Sequence, residues 1–159
     1  MEPTVDIQYA CDAAQPVPAE EDIRAWVDTA LAGRRDSAQL TVRIVAAEES
    51  RQLNETYRRK QGPTNVLSFS FEEPELLQPP LLGDVVICAA IVASEAQAQG
   101  KAPDAHWAHM VIHGVLHLLG YDHENREDAR LMEAEERKLL AALGYGDPYG
   151  DEDGLCREA

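Results

Sequence analysis

The chain has 159 residues, 45% of them hydrophobic, and a formal net charge of -15, which suits one globular domain with a single core. That charge argues against broad, nonspecific binding to a phosphate backbone, DNA included, because such binding needs many Lys and Arg side chains to release counterions. No N-terminal basic segment precedes an apolar run, no stretch approaches a membrane span, and Cys11, Cys88 and Cys156 form no C-x-x-C pair, so the expectation is a cytoplasmic monomer with unpaired thiols and no membrane contact.

Residues 5–9 alternate weakly and predict a first strand, after which Pro16 and Pro18 lead into an amphipathic helix over residues 19–32, ended by Gly33. Residues 40–45, Leu-Thr-Val-Arg-Ile-Val, alternate apolar and polar side chains with β-branched residues, the pattern of a half-buried strand. Residues 48–57 predict a short helix whose first turn carries Glu48 and Glu49 and whose end carries Arg58 and Arg59, matching the helix dipole at both ends. Gly62-Pro63-Thr64-Asn65 reads as a turn and residues 66–71 as an alternating strand; a loop rich in Glu and Pro leads to another strand over residues 83–88, and these two strands can pair antiparallel. A helix over residues 91–99 ends at Gly100, Pro103 opens a helix reaching Leu119, and residues 126–143 form a last amphipathic helix closed by Gly144. From Tyr145 onward the chain is polar and expected to fray, with residues 1–149 taken as one domain and 150–159 as an acidic flexible tail. The order predicts an α+β fold: a small mixed four-stranded sheet covered by about five helices, with a central His-bearing helix against it.

The chemistry gathers in His113-Gly114-Val115-Leu116-His117-Leu118-Leu119-Gly120-Tyr121-Asp122-His123, where imidazoles recur at offsets of four and then six. Four helical positions advance about 400° and about 6 Å, so His113 and His117 leave one face a turn apart. Gly120 suits a left-handed helix end, after which a short turn can swing His123 back toward the same ion. Three imidazoles leave a fourth position for water, the pattern of a working rather than a structural zinc, although nickel or copper would also suit them. The flanking helix is apolar almost all round, so its imidazoles need partners or a shared metal. His109, one turn earlier on the same stripe, and His106 are read as hydrogen-bonded residues, His109 being also a candidate to orient a ligand from behind. The offsets match those of H-E-x-x-H zinc peptidases, but the place of their general-base Glu is held by Gly114, which argues against that chemistry. Asp122 either orients a ligand His or caps the turn before the last helix; Asn65 and Ser68 are candidate hydrogen-bond partners of a substrate, though turn chemistry alone explains Asn65. Arg58, by its position alone, reads as a solvated arginine at a helix end.

The His113–His123 segment resembles the signature H-G-x-L-H-L-x-G-Y-D-H of the YbeY family of metal-dependent endoribonucleases. The block from Asn54 to Phe69, including Tyr57-Arg58-Arg59-Lys60 and Pro63-Thr64-Asn65-Val66-Leu67-Ser68-Phe69, resembles that family's Y-R-x-K-x-x-P-T-N-V-L-S-F segment, and Leu82-Gly83-Asp84-Val85-Val86-Ile87-Cys88 and the lead-in at His106 to Met110 are similar as well. The resemblance implies one zinc ion per chain held by His113, His117 and His123, and Arg58 and His113 at the catalytic centre. It further implies single-strand cleavage of ribosomal RNA, in maturation of the small-subunit 3′ end and in ribosome quality control, with the small subunit and its assembly proteins as partners. Two other readings stay open: a nonenzymatic ribosome-assembly factor with a structural metal, and a metal-dependent hydrolase of another substrate.

Overall fold

The computed structural model describes residues 4–12, 14–32, 34, 38–71, 81–122 and 125–149. The chain runs β1 (Thr4–Ala10), α1 (Glu20–Leu31), β2 (Gln39–Val45), α2 (Ala47–Leu53), a π-helical turn (Asn54–Arg58), β3 (Val66–Ser70), β4 (Leu81–Cys88), α3 (Ala89–Gln99), α4 (Pro103–Leu118) and α5 (Arg126–Ala142). The strands form one sheet in the order β1-β2-β4-β3. β1 and β4 flank β2 in parallel, and β3 pairs with β4 antiparallel. The α+β domain with a mixed four-stranded sheet and five helices expected from the pattern is therefore the one observed.

Helix α4 is the hub. Trp107, Val111, Ile112, Val115 and Leu116 are buried along it, packed with Val85 and Ile87 of β4, Ile23 and Val27 of α1, and Met132 and Leu140 of α5. Its hydrophobicity runs nearly all the way round because it lies between a sheet and other helices. A smaller cluster of Val45, Leu67, Val86 and Cys88 fills the opposite face of the sheet, with Leu53 and Phe69 against it. The sheet is thus covered on both sides, which explains why β4 reads as a near-continuous apolar run. Among the described residues no helix is long and apolar enough to cross a membrane.

The structure departs from the sequence expectation in two places. The helix expected over residues 48–57 is α-helical only to Leu53, after which it widens into the π-helical turn and ends at Arg59 in the left-handed region (φ 59°). Residues 145–149, expected to fray, pack onto the body: Lys101 Nζ donates to the Pro148 carbonyl at 2.9 Å, Arg137 Nε meets Asp147 at 3.1 Å, and the Arg137 guanidinium lies 5.2 Å from the centre of the Tyr149 ring. Composition misled because three anchors, a buried proline, a phenol and an ion pair, suffice to hold a polar segment. The residues of the expected acidic tail, 150–159, lie outside the described ones.

Candidate active site

One cleft of about 440 Å³ gathers Arg58, Asn65, Ser68, His113, His117 and Asp122, together with Thr64 and Val66. Six of the residues singled out from sequence meet there, coming from the π-helical turn, β3 and its preceding loop, the last turns of α4 and the segment just after it. His123, the expected third ligand, lies outside the described residues. His109 is not in the cleft; it sits one turn back along α4 and is 6% exposed.

The helix and strand residues of the lining are held by identifiable contacts. The His113 and His117 rings lie 4.8 Å apart, centre to centre, at 75°, as a four-residue helical offset dictates. Helix α4 ends as expected: Gly120 has φ 106°, and the Gly120 and Tyr121 amides donate to the carbonyls of His117 and Leu116, both at 3.0 Å. That turn delivers Asp122 to the cleft. The N-cap of α5 is Asn125, whose side chain accepts from the Asp128 amide at 2.9 Å. The Ser68 hydroxyl donates to the Gly114 carbonyl at 3.1 Å, clamping β3 to α4. Gly114 itself is a contact point: a Cβ there would stand 2.5 Å from Val85 Cγ1. Any side chain at this position, a glutamate included, would have to displace Val85, so the glycine follows from how closely α4 lies on β4.

The loop carrying Arg58 and Asn65 is tied down from beneath. The buried Ser50 hydroxyl donates to the Thr64 carbonyl at 2.9 Å and accepts from the Thr64 amide at 3.0 Å, and Asn54 Nδ2 donates to the Gly62 carbonyl at 2.8 Å. Asn65 uses its side-chain oxygen for the Val66 amide (2.6 Å) and its Nδ2 for Glu95 Oε1 (3.1 Å). The same Glu95 oxygen receives His106 Nε2 at 2.9 Å. The hydrogen bond from His106 holds the Glu95 carboxyl below the usual range against its partial burial, with Asn65 adding to the effect.

Behind the cleft stands a residue that sequence reasoning missed. Glu136 of α5 is 0% exposed; its Oε2 meets His113 Nδ1 at 2.5 Å and its Oε1 meets His109 Nε2 at 2.9 Å, with the Tyr149 hydroxyl donating to Oε1 as well. Burial alone would raise its pKa, but the hydrogen bonds from His109 and His113 outweigh it and hold the carboxyl far below the usual range. Burial pushes His109 down, toward the neutral imidazole, and pushes the Tyr149 phenol up, with the Glu136 charge adding to the latter shift. An ionised carboxylate at His113 Nδ1 favours the proton on that nitrogen and turns Nε2 away from Glu136. The ligand-type atoms of His109, His113 and Glu136 lie within 4.8 Å of one another, a group that could itself hold a metal ion. A signal for Glu136 did exist: it falls between Met132 and Leu139-Leu140, on the buried stripe of an otherwise charged helix.

Comparison with known proteins agrees with the motif reading. A family model described as Endoribonuclease YbeY matches residues 8–144. Among solved structures the chain is similar to the solution structure of TM1509 from Thermotoga maritima, at 22% identity and a TM-score of 0.61 over 98% of this chain and 96% of that one. At that identity the likeness is one of fold.

Proposed function

The chain belongs to the YbeY family of endoribonucleases, and from that premise we propose that it cuts single-stranded RNA at the Arg58–His113–His117 cleft, with the 3′ end of small-subunit ribosomal RNA as its target and ribosome quality control as a second task. The observation that carries this reading is the meeting of an exposed arginine with two helical imidazoles on one cleft. A guanidinium can clamp a phosphodiester through two parallel hydrogen bonds and stabilise the charge that grows on it during displacement. Asp122 is the carboxylate that the cleft offers as proton acceptor, position 114 being a glycine. In the cell, at a net charge of -15, assembly proteins of the small subunit present the strand.

The donor set fits a zinc ion. His113 offers Nε2, since Glu136 occupies Nδ1; His117 lies a turn away, and His123 is assigned as the third ligand. Zinc, when bound, supplies Lewis acidity toward a phosphoryl oxygen and an acidified water. Glu136 then acts as the carboxylate that orients a ligand His, as ligating imidazoles usually require. A second reading, with the ion held by His109, His113 and Glu136, would break the hydrogen bonds that these atoms already make. Metal content separates the two: His117→Ala should lose the ion if it sits in the cleft, and should retain it if it sits in the buried group.

The function is tested with Arg58→Ala. The side chain is exposed, so the fold and the metal should survive, while cleavage of an RNA oligonucleotide should fall about 100-fold, the usual effect of removing one charge-stabilising donor. A folded, metal-loaded Arg58→Ala protein that cuts at the parent rate would overturn the assignment. Two proteins that cut nothing yet both restore ribosome assembly would favour a nonenzymatic factor.

A further inference from the structure

Tyr57 is 65% exposed, the most exposed large hydrophobic side chain among the described residues, and it directly precedes the cleft arginine. A single exposed aromatic needs no explanation; this one has a setting. Phe69 meets its ring edge-on, with centres 5.4 Å apart and planes at 73°, so one edge of the tyrosine is braced while the ring remains largely open to solvent. The next three residues are Arg58, Arg59 and Lys60. Arg24, Arg34, Arg43, Arg51 and Arg137 each have a carboxylate partner, whereas these three successive cations have no ion pair among the described residues. Glu55, the nearest acid in sequence, is taken by Arg51 at 2.8 Å and by the Gly62 amide at 3.2 Å.

The backbone under this ridge is fixed before any ligand arrives. The π-helical turn ends with Arg59 at φ 59°, the Lys60 amide donates to the Asn54 carbonyl at 3.3 Å, and the Asn54 side chain, in a residue only 4% exposed, holds the Gly62 carbonyl. An aromatic face followed by a run of unpaired cations is what single-stranded nucleic acid requires: stacking for a base, positive charge for the phosphates on either side of it. The chain has few aromatic residues, and Trp26 and Trp107 are both buried, so this ridge offers stacking that the core aromatics cannot.

We infer that Tyr57 is the stacking platform for the base next to the scissile phosphate, and that Arg59 and Lys60 hold the phosphates that follow. This inference rests on the reading that the cleft cuts single-stranded RNA. Tyr57 touches a base and not the reacting atoms, so it is a positioning residue, and because every base has a π face it confers little sequence preference.

The test uses a single-stranded RNA oligonucleotide with one cleavage site and a series in which one abasic nucleotide is moved through the flanking positions. Tyr57→Ala should lower kcat/KM on the intact strand about tenfold, mainly through KM, as expected for one base–aromatic stack, and Tyr57→Phe and Tyr57→Trp should retain the parent value. At one flanking position the abasic nucleotide should cost the parent the same factor and cost Tyr57→Ala nothing more; penalties that multiply would overturn the platform. Binding without cleavage, followed by fluorescence anisotropy of a labelled strand, keeps this inference apart from the nuclease reading. A parent that cuts, with Tyr57→Ala its equal in affinity and rate, sinks the platform alone. A parent that binds about tenfold more tightly than Tyr57→Ala but never cuts sinks the nuclease and leaves the platform standing.

Discussion

Glu136 shows how one side chain can govern a site it does not line. It is fully buried, ionised, and shared by His109, His113 and Tyr149. Removing one partner of a buried charged network is costly, so Glu136→Ala should destabilise the fold by about 3 kcal/mol in a denaturant melt. Glu136→Gln, which keeps the shape, should weaken zinc binding about 10- to 100-fold in a competition titration, the usual effect of losing the group that orients a ligand His. Gly114 makes the opposite point, that a missing side chain can be a requirement. Gly114→Ala should destabilise by about 1–3 kcal/mol through overpacking on Val85, and Val85→Ala in the same chain should recover part of the loss; an unchanged melting temperature for the single variant would show that α4 and β4 do not approach so closely. The imidazole stripe was legible from spacing. Glu136 was harder to pick out, because its helix also carries Glu127, Asp128, Glu133 and Glu135, and only its place on the apolar stripe with Met132, Leu139 and Leu140 distinguishes it from the others.

At the level of elements, each helix and strand announced itself by periodicity and punctuation: Pro103 at the first position of α4, Gly120 in the left-handed region after it, and the alternation of β3. The widened turn at Asn54–Arg58 did not, because five residues are too few for the apolar period to distinguish a π-helical turn from an α-helical one. Glu95 is the stitch between elements, joining α3 to α4 through His106 and to the loop before β3 through Asn65. Its folded-state pKa is lowered, so the stability it contributes is fully present above the ordinary glutamate value of about 4.3 and is lost as pH falls through the lower folded value. In acid titrations the parent should therefore exceed Glu95→Gln in stability at pH 6, and the difference should begin to shrink below about pH 4.3 and go on shrinking as the pH is lowered further. A constant difference across that range would mean that the carboxylate charge contributes nothing to the joint.

For the whole molecule, the conflict between an acidic body and a polyanionic substrate resolves into a quantity. If Arg58, Arg59 and Lys60 are the phosphate contacts, the logarithm of the RNA association constant should fall with the logarithm of salt at a slope of about -2, from roughly 0.7 per contact on a single strand. A slope near -6 would reveal a second basic surface. The overall architecture was readable because its apolar pattern is clear in most elements; the packing of residues 145–149 was not, since it depends on individual partners at Lys101, Glu136 and Arg137 that no periodicity marks.

The link from Glu136 to His113 also sets an order in time. Arg58, His113 and His117 all precede α5 in the chain, so the contact from Glu136 to the His113 ring is made only when that last helix packs. A ring that lines the cleft thus waits on a helix further along the chain, and the cleft takes its final form only once α5 is seated.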